Sequence, residues 1–181
     1  MNDNKQSIII LLALTLNFVS YRCIAQDTAS KKQNPELVSS YLKENTFPKP
    51  IGFVNDFEDV LTVEQEKKLT ELITRYEQKT TNEIVIVTIN SIEPYFDFNQ
   101  YAVDLFNYWG VGKKDKNNGL VFLFSKSLKK IRISTGIGTE KILTDNFCKS
   151  IIDQLIIPQF KEDKYYDGIL FGLAELIAQW K

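Results

Sequence analysis

The chain has 181 residues, a net charge of −1, and 44% hydrophobic and 12% aromatic residues. That suits one domain with an extension and a substantial core, and it supplies no global basic field for nucleic acid. Histidine is absent, which excludes Ser-His-Asp triads, Cys-His pairs, histidine phosphatases and His-ligated zinc, and the two cysteines, Cys23 and Cys148, are too far apart in sequence to suggest a metal pair or a disulfide framework.

Ile8 to Val19 is apolar apart from Thr15 and Asn17, follows Lys5, and is too short for a standard membrane span. With Cys23-Ile24-Ala25 just ahead of Gln26, this pattern predicts a secretory signal peptide over residues 1–25 and a secreted or periplasmic product. A lipidated Cys23 and an uncleaved anchor are the alternatives, although Arg22 before Cys23 fits lipidation poorly. Residues 26–46 read as a flexible polar spacer. A folded domain is expected over residues 47–181, opening on the extended Phe47-Pro48-Lys49-Pro50.

Ile51-Gly52-Phe53-Val54 is a short strand or an extended lead-in, and Asn55 to Asp59 is a loop. Thr62-Val63-Glu64-Gln65 fits a capping box, and Leu69, Leu72, Ile73 and Tyr76 continue a helix from it. Thr80-Thr81-Asn82 stops that helix. Ile84 to Ile89 is β-branched almost throughout and predicts a buried central strand. A second helix carries Ala102, Leu105, Phe106 and Trp109 and ends at Gly110 and Gly112.

Leu120 to Phe124 reads as a buried strand, and Ile131 to Thr135 alternates as a half-buried one. The polar tip Ser125 to Lys130 joins them as an antiparallel hairpin. If Ser125 faces Lys130, then Gly119 faces Gly136, and Asp115 falls near Glu140. Thr144 caps a third helix with Phe147, Ile151 and Leu155, ended by Pro158. Tyr166, Ile169, Leu170, Leu173 and Ile177 mark the last helix. The order predicts an α/β fold with a mixed, mostly four-stranded sheet, a β-hairpin, and helices on both faces.

Six oxygen-bearing side chains fall on the expected loops: Asp56, Asp59, Asp115, Asn118, Glu140 and Asp145. The hairpin brings the last four toward one sheet end. Asp56 and Asp59 join them if Ile51 to Val54 runs parallel to Ile131 to Thr135. Oxygen donors without nitrogen or sulfur suit a hard cation, Ca²⁺ first and Mg²⁺ or Mn²⁺ next. A bound cation also relieves the repulsion among gathered carboxylates. Read one at a time, these residues serve equally well as turn and cap chemistry. Gly136-Ile137-Gly138 lacks the third glycine and the strand–helix context of a dinucleotide site. Cys148 reads as a buried small hydrophobe. The run Lys113, Lys114, Lys116 reads as solvated charge.

These pieces together resemble the TPM domain family over about Phe47 to Trp180. The resemblance rests on Gly52-Phe53-Val54-Asn55-Asp56 leading to Leu61, on Thr81-Asn82-Glu83-Ile84-Val85-Ile86-Val87, and on Trp109-Gly110-Val111-Gly112. It continues through Asn118-Gly119-Leu120-Val121, Gly136 to Asp145, Pro158-Gln159-Phe160, and Tyr166-Asp167-Gly168 with Gly172. It implies a three-layer α/β/α sandwich, export, and a divalent-ion site, usually calcium, with Asp56, Asn118, Glu140 and Asp145 at family positions. Asp59 and Asp115 come from the residue reading alone. The expected function is an exported calcium-binding module for binding or protein quality control, with a metal-dependent acid phosphatase using a metal-activated water as the alternative. The expected partners are the cation and a membrane-associated or exported protein; the expected state is a monomer.

Overall fold

A computed structural model describes residues 47–181. The expected signal peptide over 1–25, with Cys23, and the spacer over 26–46 lie outside the described residues. In chain order the elements are β1 (Val54–Asp56), α1 (Val63–Thr80), β2 (Glu83–Thr88), α2 (Phe98–Trp109), β3 (Gly119–Ser125) and β4 (Lys130–Thr135). They continue with a helical turn α3 (Ile137–Glu140), α4 (Asp145–Ile151), a π-helical turn (Ile152–Ile156), α5 (Ile157–Phe160) and α6 (Tyr165–Gln179).

The four strands form one sheet in the order β1-β2-β3-β4. The first three run parallel and β4 returns antiparallel to β3. Strand alternation splits the apolar side chains between two cores. Ile84, Ile86, Leu120, Phe122, Phe124 and Ile133 pack with α1, α4 and α6 on one face. Val85, Val87, Val121 and Leu123 pack with Tyr101, Ala102 and Leu105 of α2 on the other. The result is an α/β/α sandwich, with β3 buried along its whole length.

Helix α1 starts at the expected capping box. Thr62 Oγ1 accepts from Gln65 N at 3.3 Å, and Gln65 Oε1 accepts from Thr62 N at 2.9 Å. It ends at Thr81, which caps it from the left-handed region (φ 65°). Leu69 and Ile73 on its inner face are fully buried, each stabilising the fold by roughly 1.5–3 kcal/mol through area removed from water.

Three features depart from the sequence reading. First, β1 begins at Val54 rather than Ile51. The Asn55 side chain accepts from Ile51 N (2.7 Å) and donates to Gly52 O (2.8 Å), closing a turn over the residues expected to extend. Second, Pro158 does not end the third helix. The π-turn routes Ile157 N to Ile152 O, five residues back. That widened turn makes room for the proline ring, which then opens α5 at a position needing no N–H. Third, β1 and β4 run in opposite directions, because β1 is parallel to β2 and β3 while β4 is antiparallel to β3. Asn55 and Asp56, expected on a loop, are the last two residues of β1, and the chain from Phe57 to Asp59 therefore leaves the sheet at the end opposite Gly136.

The topology has a further consequence. Strands β1, β2 and β3 are consecutive neighbours and parallel, yet α1 covers one face and α2 the other. Two such crossovers stepping the same way on opposite faces must have opposite hands, so one departs from the right-handed rule. The chain thus switches faces at the carboxyl ends of β1 and β2, where open α/β sheets form their crevice.

Candidate functional sites

The hairpin register is the one expected. Ser125 pairs with Lys130 and Leu120 with Thr135, and Gly136 N donates to Gly119 O at 2.9 Å. The Asp115–Asn118 loop and the segment after β4 meet at this end. Gly138 N donates to Asn117 O at 3.1 Å. A Cβ on Gly138 would lie 2.1 Å from Lys116 O, and one on Gly136 would lie 2.3 Å from Asn117 O. These glycines therefore serve backbone packing against the chain's own loop, which leaves no space for a dinucleotide. Thr139, fully buried, ties the α3 turn to the sheet through its hydroxyl to Gly119 O (3.1 Å).

A cleft of about 370 Å³ opens here between α2, β4 and α3. Glu140 and Asp145 line it, with Asn117, Arg132, Ser134 and Thr135. Glu140, expected on a loop, stands at the end of α3. Asp145 begins α4, whose cap is Thr144 Oγ1 accepting from Phe147 N at 3.3 Å. Arg132 reaches the cleft because Ile133 turns into the opposite core. Its guanidinium donates to Asn99 Oδ1 (3.2 Å) and Ser134 Oγ (3.3 Å).

Asn118 belongs to the same end but not to the cleft. Its Oδ1 accepts from Lys113 N at 2.9 Å, and its Nδ2 donates to Thr81 O (2.8 Å) and Asn82 Oδ1 (3.1 Å). The side chain is 6% exposed and clamps the α1–β2 turn to the loop before β3. Asp115 is exposed and is not among the residues lining the cleft.

Asp56 and Asp59 do not converge with the other four, contrary to the expected convergence. Asp56 sits on the row of Thr88 and Phe124, whereas Asn118 adjoins the row of Glu83 and Gly119. Five strand steps separate those rows, roughly 16 Å. The cause is the direction of β1 relative to β4.

Asp56 and Asp59 instead lie at the carboxyl ends of β1 and β2. Asp56 Oδ1 accepts from Thr88 Oγ1 (2.5 Å), and Oδ2 accepts from Leu61 N (2.7 Å). Asp59 adopts a left-handed backbone (φ 53°). Glu66, on the first turns of α1, faces both: its carboxyl is pushed above the ordinary 4.5 by burial, then by the charges of Asp56 and Asp59. Glu58 turns away, accepting from Lys126 N (2.8 Å) and Ser127 N (3.0 Å) at the hairpin tip. The described residues contain no group of three or more His, Cys, Asp or Glu that could hold a metal ion by themselves.

The remaining groups singled out in the sequence have structural partners. Cys148 is 4% exposed and burial pushes its thiol up to about 11, so it is not a nucleophile at neutral pH. Lys113 pairs with Glu77 (3.3 Å) and Glu83 (3.9 Å), and Lys116 Nζ donates to Thr81 Oγ1 (2.8 Å). Tyr95 and Tyr101 stack around Phe47, and Trp109 Nε1 donates to Pro48 O (3.0 Å). Glu66 and Arg132 went unnoticed as site residues. Arg132 had one visible mark, a cation between Ile131 and Ile133 on a period-2 strand. Glu66 had none, because its neighbours come from β1.

No curated protein matches the chain. Among solved structures, the N-terminal domain of a protein from P. gingivalis superposes with a TM-score of 0.64 at 27% identity, covering 70% of this chain and 80% of its own. A protein from the psychrophilic bacterium Bizionia argentinensis gives 0.59 at 23% identity, covering 69% and 88%. The N-terminal domain of a Corynebacterium glutamicum protein gives 0.56 at 12% identity, covering 75% and 84%. The last two establish the fold alone. The family model described as the TPM domain matches residues 54–179, which take in every strand and helix of the described residues, and the chain belongs to the TPM domain family.

Proposed function

We propose that this chain is an exported cation-binding module whose ion, Ca²⁺ before Mg²⁺ or Mn²⁺, is taken at Asp56 and Asp59, beside Glu66, with water and backbone oxygens completing its shell. The observation that carries this reading is the placement of Asp56 and Asp59 at the carboxyl end of β1, near enough to Glu66 that their charges add to burial in pushing its carboxyl up. The repulsion that the two aspartate charges exert on the Glu66 carboxyl costs free energy that a divalent cation relieves. The donors are oxygen only, as calcium prefers. With Asp56 already engaged by Thr88 and Leu61, several ligands must come from water and backbone. That points to the weak, millimolar class of extracellular calcium sites.

Export rests on the sequence pattern of residues 1–25. Among the described residues no helix is long and apolar enough to cross a membrane. The role proposed for such a module is binding or quality control of exported or membrane-associated proteins, as the TPM domain resemblance implies for an exported domain.

A second reading, a metal-dependent phosphatase, is favoured by one observation: Arg132 shares the cleft with Glu140 and Asp145. A guanidinium fork suits phosphoryl oxygens, and a divalent cation there would supply charge neutralisation and a polarised phosphoryl oxygen.

Thermal melting with calcium or EDTA tests the first reading. Calcium at one hundred times its Kd should stabilise by about 2.7 kcal/mol by mass action. Glu66→Gln and Asp59→Asn should abolish that gain while Glu140→Gln keeps it. No calcium shift up to about one hundred millimolar, set against a magnesium-free salt control of equal ionic strength, would remove the module reading. Phosphate release that disappears in both Arg132→Ala and Asp145→Asn would establish the second.

A further inference from the structure

Strand β4 is an outer edge of the sheet. Because Gly136 N donates to Gly119 O, Gly119 and Gly136 form a hydrogen-bonded pair, and alternation makes Val121–Ser134, Leu123–Arg132 and Ser125–Lys130 the others. The amides and carbonyls of Ile131, Ile133 and Thr135 then point away from β3. Among the described residues nothing pairs with them. Both depressions beside this edge touch β4: the 370 Å³ cleft along Arg132–Thr135, and a groove of about 580 Å³ along Lys130 and Ile131.

The groove has an apolar floor and a basic rim. Phe160 and Tyr165 form the floor and pack on Phe124 behind them. Lys126, Lys129, Lys130 and Lys161 surround it, against two carboxylates: Asp163, which accepts from Tyr165 Oη at 3.1 Å, and Glu58, held at the hairpin tip by Lys126 N and Ser127 N. Lys126 Nζ lies 5.1 Å from the centre of the Tyr165 ring. Lysines on an edge strand commonly serve to prevent unwanted pairing. That role needs charge on the strand alone. Here the cations come from the hairpin tip, from β4 and from the end of α5, and they converge on an apolar floor rather than lining the edge.

We propose that β4 is a docking edge for an extended acidic polypeptide segment, which adds a strand beside Ile131–Thr135 and sets carboxylates of alternate residues among the four lysines. Main-chain pairing supplies the binding, and the lysine rim selects acidic sequences. The Glu140 and Asp145 carboxylates at the far end of the same edge oppose acidic residues there, so the acidic half of the segment lies over the hairpin tip.

The test uses the full chain, a short capped peptide alternating Val and Glu, and a reference peptide with Lys for Glu. Binding is followed by fluorescence anisotropy, and amide exchange by NMR. The Glu peptide should bind saturably and slow exchange at Ile131, Ile133 and Thr135, while Arg132 and Ser134, already paired to β3, change little. The triple variant Lys126→Glu, Lys129→Glu, Lys130→Glu alters only exposed side chains and should weaken binding about tenfold or more. Ile131→Pro, which removes an outward N–H, should weaken it with the lysines intact. Four results would each overturn the proposal: no binding; equal binding of the Lys peptide; binding without protection of the three amides, which is charge adsorption alone; or protection of those amides before peptide is added, which places the chain's own residues or a second copy on the edge.

Discussion

Replacing Asn118 by alanine separates two roles that the sequence could not. A ligand role predicts that the substitution matters only when an ion is present; a clamp role predicts a loss of stability under all conditions. The structure allows the clamp to be costed. Its three hydrogen bonds, to Lys113 N, Thr81 O and Asn82 Oδ1, run 2.8–3.1 Å from a side chain that is 6% exposed. At roughly 0.5–1.5 kcal/mol each the loss is about 3 kcal/mol, because the groups left behind are largely shielded from water. For a domain of this size that lowers Tm by about 10 °C. Urea and thermal unfolding, each in calcium and in EDTA, should show the same loss in both. Asn118→Asp should cost at least as much, since it keeps the acceptor toward Lys113 N but sets a negative charge against Thr81 O and Asn82 Oδ1. A drop below about 3 °C, or one confined to calcium, would refute the clamp.

Two other predictions follow from the same geometry. Gly138→Ala places a methyl 2.1 Å from Lys116 O, so the loop must move, and the domain should lose about 1–3 kcal/mol in urea unfolding. Glu66 gives a pH signature. Its folded-state pKa lies above the ordinary 4.5, so the folded state holds the proton more tightly. That stabilising share is fully present below about pH 4.5 and is lost as pH rises through the raised value. Glu66→Gln should therefore raise Tm at pH 7 in EDTA, with the gain vanishing near pH 4; an unchanged Tm at pH 7 would refute the repulsion.

Local chemistry determined much of this molecule before any tertiary contact was known. The Thr62–Gln65 capping box, the Thr144 cap, the αL exit at Gly110 (φ 63°) and the Ser125–Lys130 register all depend on neighbours within a few residues or on period-2 alternation. The buried thiol of Cys148 was legible from the apolar stripe around it, and the meeting of Asn117 with Gly136–Gly138 followed from the hairpin alone. Only the tertiary structure decided which sheet end each carboxylate occupies. The direction of β1 is set by its parallel pairing with β2, 32 residues away, through register pairs such as Val54 with Ile86; the strand-helix-strand order points to parallel neighbours, but the pairing itself is made only in the folded sheet. One reversal of strand direction thus divides the six expected ligands into Asp56 and Asp59 on one side and Glu140, Asp145 and their neighbours on the other. It also brings Glu66 to the first group. Side-chain aim was equally out of reach. Asn118 and Asn117 are adjacent and identical in type, yet the first is locked in hydrogen bonds while the second, at φ 49°, lines the cleft.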